Sequence, residues 1–181
     1  MMKKIFFTIA LLSTAFLAVA TGATVNQSTT YIHTTLHIVN GTADAGPVIK
    51  AYLSVKDALA SDNAAAAAQS GNALLAALGQ LEKEATAAKA KEAFDKDGQA
   101  ALKSAQAIGK SGDIKAQRKA FKDLSEHLYS LIKVVGTSET LYLDYCPMAK
   151  ASWLSDKKPI VNPYYGSSML TCGSVKETIE P

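Results

Sequence analysis

No serine, cysteine or aspartate of this chain stands in a recognisable nucleophile motif, no glycine-rich phosphate loop occurs, and no two carboxylates have a spacing known from acid–base catalysis. These absences leave no enzyme class to argue for, so the chain is expected not to be an enzyme and to need no organic cofactor. Cysteine is nearly missing: Cys146 and Cys172 are the only two, and both lie far from the N-terminus, so no cysteine is placed to carry an N-terminal lipid. Long apolar runs are missing too, apart from Ile5 to Val19; the alanine-rich stretch from Ala64 to Ala77 is broken by Gln69, Ser70 and Asn72. Charge of one sign is also lacking, with 19 basic residues against 16 acidic ones. Without a clustered basic face, nucleic acid and anionic lipid are not expected as partners.

The first residues carry the three parts of an export signal: Lys3 and Lys4, the apolar run Ile5 to Val19, and small residues at Ala18, Ala20 and Ala23. The run is shorter than the roughly 20 residues of a membrane span. Residues 1–23 are therefore expected to be a cleaved signal peptide, with cleavage after Ala20 or Ala23 and no membrane insertion afterwards. The protein is expected to be periplasmic or secreted, and after cleavage nearly neutral. About 160 residues would remain, enough for one core.

Residues 24–44 are rich in Thr, Ser and Asn and read as an extended or flexible arm. In it His33 and His37 are a weak candidate metal-collecting pair. Residues 45–136 read as four helices. Pro47 suits a first turn with Asp44 as a nearby cap, and Val48, Tyr52, Val55 and Leu59 form one stripe. Asn63 caps a second helix with Ala67, Gly71, Leu74, Leu75, Leu78 and Leu81 on its buried side, running to about Ala88. Phe94, Leu102, Ala105 and Ile108 mark a third helix that Gly98 interrupts. Asp113 caps the fourth, whose stripe runs from Ile114 through Phe121, Leu124, Leu128, Leu131 and Ile132 to Val135, with Gly136 closing it. The expected fold class is all-α: an up-down four-helix bundle with an irregular C-terminal tail containing a short strand.

That tail, residues 137–181, is expected to pack on the bundle in the same domain. Leu141, Leu143 and Tyr145 alternate as a strand would, and after them the helical repeat is gone. With Met1 and Met2 lost in the signal, all remaining sulfur sits here: Cys146-Pro147-Met148 and Met169-Leu170-Thr171-Cys172. The segment Tyr145-Cys146-Pro147-Met148-Ala149, followed by Trp153-Leu154-Ser155 and by Asn162-Pro163-Tyr164-Tyr165-Gly166 to Met169-Leu170 and Cys172-Gly173, resembles the signature of a bacterial domain of unknown function, the DUF3347 family. The resemblance extends over roughly Val48 to Val175 and departs between Met148 and Trp153, where family members often carry a longer glycine-containing insert. The family occurs as exported proteins and fused to the C-terminus of periplasmic adaptor subunits of heavy-metal efflux pumps. The resemblance thus implies metal-efflux adaptor or pump components as partners, and it implies no activity.

Thiolates and thioethers are the ligands that copper(I) and silver(I) prefer. Cys146, Met148, Met169 and Cys172 are accordingly candidate ligands for one copper(I) or silver(I) ion. His127, one position off the apolar stripe of the fourth helix, reads as a boundary histidine before it reads as a ligand, and is an additional candidate. The alternative is a disulfide between Cys146 and Cys172, usual in an oxidising compartment, which would close a loop of about 25 residues and contribute about 3 kcal/mol. Two functions follow: an exported soft-metal binding or handling protein associated with heavy-metal efflux, or a non-enzymatic module whose disulfide-closed tail docks on efflux-pump or other envelope components.

Overall fold

The computed structural model describes residues 43–181. The expectations for the signal peptide, for the arm up to residue 42, and for His33 and His37 lie outside the described residues.

Helix α1 (Gly46–Ala60) carries Pro47 in its first turn, and Asp44 Oδ1 accepts the Gly46 N–H at 2.8 Å, one position ahead of the cap residue Ala45. Helix α2 (Ala64–Glu84) is capped by Asn63, whose Oδ1 accepts from Ala66 N at 3.0 Å. The third helical stretch is continuous but not uniform: α3 (Ala88–Ala93) runs into a wide π turn (Phe94–Gly98) and on into α4 (Gln99–Lys110). Gly98 closes the π turn because a Cβ there would run into the Phe94 ring. Helix α5 (Ile114–Val135) is capped by Asp113, whose carboxylate accepts from Lys115 N at 3.1 Å and Ala116 N at 3.3 Å, and it stops at Gly136 with φ +89°.

Successive helices are neighbours, and their apolar stripes meet in one core with Tyr52, Phe94 and Phe121 fully inside. Where α2 crosses α4 the backbones nearly touch. A Cβ added to Gly71 would lie 2.9 Å from both Gly109 N and Ile108 Cγ2. The small residues of α2 thus do what their pattern suggests, letting a neighbouring helix approach.

The all-α expectation is wrong. Beyond α5 the chain forms a three-stranded antiparallel sheet of β1 (Leu141–Cys146), β2 (Ala151–Ser155) and β3 (Ser174–Ile179), in the order β2-β1-β3. The fold is a helical bundle with a sheet laid against it, and the tail is not irregular. Only β1 announced itself in sequence, because only β1 alternates clearly. β3 buries a single residue, Ile179, and so carries almost no hydrophobic pattern. It forms because β1 offers its free edge, in a register that shifts at a bulge between Leu143 and Asp144.

Leu141, Cys146, Trp153, Leu154 and Ile179 of the sheet belong to the same core as the helices. Polar bonds sew the two parts together. Tyr52 Oη, fully buried in α1, lies 2.7 Å from Ser125 Oγ of α5 and accepts the Leu154 N–H of β2 at 3.0 Å. Arg118 of α5 donates to Pro163 O, Leu59 O and Asp62 Oδ1, and Asp62 Oδ2 in turn accepts from Ser167 N.

A sulfur pair at the end of the sheet

Cys146 is the last residue of β1, and Cys172 lies two residues before β3 begins. Pairing of the two strands therefore brings their ends together although 26 positions separate them, and their sulfurs stand 3.0 Å apart. Three local features set this distance. The Cys146-Pro147-Met148-Ala149 turn folds back so that Ala149 N–H points at Cys146 Sγ, 3.5 Å away. Asn162, fully buried, holds the returning loop: its Nδ2 donates to Cys172 O at 2.7 Å, while its Oδ1 accepts from Tyr164 N at 2.8 Å and Tyr165 N at 3.3 Å. Gly173 has φ +149°, and a side chain there would collide with Trp153 and with the Tyr145 carbonyl. Only glycine passes the chain close enough to Trp153 to deliver Cys172 to its partner.

An aromatic row backs the loop. Tyr52 stacks on Phe121 at 5.1 Å between centroids, Phe121 meets Tyr164 at 5.8 Å, and Tyr164 meets the buried Trp153 edge-on at 5.8 Å. Tyr164 Oη also donates to Ser152 O and Tyr165 Oη to Met148 O. The rings fix the loop's position more than they seal its surface: Met148 is 62% exposed and Leu170 40%.

The two thiols differ electrostatically. Burial pushes the Cys146 thiol up, but the hydrogen bond from Cys172, the Ala149 and Met148 amides and Asn162 together outweigh it and bring it below its ordinary value. The Cys172 thiol is raised, first by its hydrogen bond to Cys146 and then by burial and by the charge of Cys146. The pair thus holds one proton more tightly and releases the other more readily than two isolated thiols.

Of the five candidate ligands, the structure brings Cys146 and Cys172 into contact and sets the backbones of Met148 and Met169 beside them, Met169 O accepting from Cys172 N at 3.1 Å. His127 is engaged elsewhere. Its Nδ1 lies 2.9 Å from Asp97 Oδ1, a carboxylate that the π turn presents to α5. Among the described residues no three His, Cys, Asp or Glu side chains gather as a metal site, so any ion held here relies on thioethers to complete its shell.

Sequence reasoning quoted Asn162 only as part of a motif and gave Asp144 no role. Asn162 is the loop's anchor, and its only advance signal was the Asn-Pro turn. Asp144 is fully buried on β1 with neither oxygen hydrogen-bonded among the described residues, and burial raises its carboxyl to about 7, Lys56 offsetting part of the effect. It sits in register with Trp153, whose indole N–H is likewise without a partner.

A family described as "Protein of unknown function (DUF3347)" matches residues 48–140, the helical body up to the start of the sheet. No curated protein and no solved structure matches the chain.

Proposed function

The chain belongs to this family of unknown function, DUF3347, and we propose that it is an exported soft-metal binding protein that holds copper(I) or silver(I) at Cys146 and Cys172, with Met148 and Met169 as thioether ligands. The observation that carries the reading is the convergence of two distant sulfurs to 3.0 Å, each in a turn segment that also holds one of the two methionines outside the first two residues. Two sulfurs bonded to one tetrahedral ion at about 2.3 Å each stand about 3.8 Å apart. Loading spreads the pair by less than 1 Å, within reach of a χ1 adjustment of the half-buried Cys172. A lowered Cys146 thiol supplies the thiolate that such an ion needs. Soft donors without imidazole or carboxylate favour copper(I) and silver(I) over zinc. The export signature at the N-terminus and the resemblance to adaptor-fused domains support a role in handling the ion for envelope efflux components.

The same distance favours a second reading, a disulfide that closes the tail into a docking surface, since a bond of about 2.0 Å lies about 1 Å away in the other direction. It accounts for the cysteines but gives Met148 no reason to stand exposed. A competition titration with a copper(I) chelator separates the two. The reduced protein should bind one equivalent, Cys146→Ser and Cys172→Ser should each lose at least tenfold in affinity, and the double variant Met148→Leu, Met169→Leu should lose less. Tight binding that persists in both cysteine variants, or no binding by the reduced parent, refutes the metal reading.

A further inference from the structure

The two sulfurs are placed unequally. Cys146 is fully buried, on the central strand and beneath its own Cys-Pro-Met-Ala turn, with a backbone N–H aimed at its sulfur. Cys172 is half-buried, in a turn whose neighbour Leu170 is exposed. Their 3.0 Å separation lies in the range of about 3–3.5 Å at which reacting atoms stand before attack. A disulfide that only braced the tail would need neither an accessible sulfur nor amide donors on the other.

We propose that Cys146 and Cys172 are a polarised thiol–disulfide exchange site, in which Cys172 trades with an external thiol or disulfide and Cys146 is the sulfur that leaves and returns. In the oxidising direction Cys172, the sulfur that an external disulfide can reach, attacks through the small thiolate fraction that its raised thiol allows, forming a mixed disulfide and releasing one thiol. Cys146 then attacks Cys172 Sγ, forming the internal disulfide and releasing the second thiol. Two protein thiols are oxidised and one external disulfide is reduced to two thiols. In the reducing direction an external thiolate attacks Cys172 Sγ, the only sulfur it can reach, and Cys146 departs as a thiolate received by the amides around it, which makes it the better leaving group. One consequence rests on the soft-metal reading: the disulfide removes both thiolate ligands, so the ion is held only in the dithiol state and exchange at Cys172 gates its release.

The test uses the full-length protein, oxidised, pulsed with reduced glutathione, quenched with acid and mapped by mass spectrometry after trypsin, Lys150 placing the two cysteines on separate peptides. Glutathione is expected on Cys172 at least tenfold over Cys146. Equal labelling, or labelling mainly on Cys146, overturns the proposal, and because this measurement is made on the parent chain it does not depend on any variant folding. With glutathione disulfide, Cys146→Ser should accumulate a stable adduct while Cys172→Ser stays unmodified until unfolded in urea; comparable rates in the two would also overturn it. Silver(I) titrations of both redox states separate the consequence from the assignment. Binding by the reduced form alone supports gating, and equal binding by both forms refutes it. Absence of binding in either form refutes gating and the metal reading, while labelling confined to Cys172 still upholds the exchange site.

Discussion

Replacing Tyr52 by Phe removes one oxygen and should cost about 2 kcal/mol of folding stability. The magnitude follows from what that oxygen serves. It accepts the Leu154 N–H at 3.0 Å and lies 2.7 Å from Ser125 Oγ, and all three residues are at most 2% exposed. Ser125 is on a helix, and its hydroxyl can turn to the carbonyl one turn back, so its loss is largely recovered. The Leu154 N–H is fixed by the strand and has no alternative acceptor; a buried donor left unpaired costs about 1–3 kcal/mol, and the phenylalanine ring keeps the stacking on Phe121. For a folded part of this size the loss corresponds to a fall of about 7 °C in Tm. Urea unfolding followed by circular dichroism reads it directly. Ser125→Ala should cost less, and the double variant should cost little more than Tyr52→Phe alone, since both changes act through one hydroxyl. A Tyr52→Phe variant within about 0.5 kcal/mol of the parent would refute the argument that this hydroxyl joins sheet to bundle.

Gly71→Ala should destabilise by about 1–3 kcal/mol in the same assay, although alanine is the better helix former, because its methyl group meets the Gly109 backbone; a gain in stability would mean that α2 and α4 part without cost. Asp62 provides a pH dependence: hydrogen bonds from Ser167 and Arg118 hold its carboxyl well below the usual carboxylate range. The folded state then binds fewer protons there than the unfolded chain, so this contribution is present above a pH of about 4 and is lost as the pH falls below it. Thermal melts should show a shallower acid loss for Asp62→Asn than for the parent, and parallel curves would count against the clamp.

The helical body was legible because its signals are local. A stripe at helical spacing, Asn63 and Asp113 at the caps, and the Gly98 interruption all act within a turn or two of chain, and each has the physical role that its position suggests. Membership of the DUF3347 family was legible as well, although the residues that suggested it, Tyr145 to Gly173, lie beyond the matched span of 48–140. The concentration of sulfur in the tail, and its softness as a donor set, could also be read without coordinates.

The sheet could not be read in this way, because strand pairing is decided between segments far apart in the chain. β3 has no apolar face of its own and becomes a strand only when the edge of β1 is there to bond it. Likewise, sequence could name Cys146 and Cys172 but not their separation or their unequal burial, which come from the end of β1, the anchor at Asn162 and the passage of Gly173 past Trp153. His127 was a candidate ligand until the π turn placed Asp97 against it, and that pairing depends on how α3, α4 and α5 pack. Residue types and short-range periodicity settled which chemistry was available; long-range pairing, whose entropy cost only the finished core offsets, decided which groups meet.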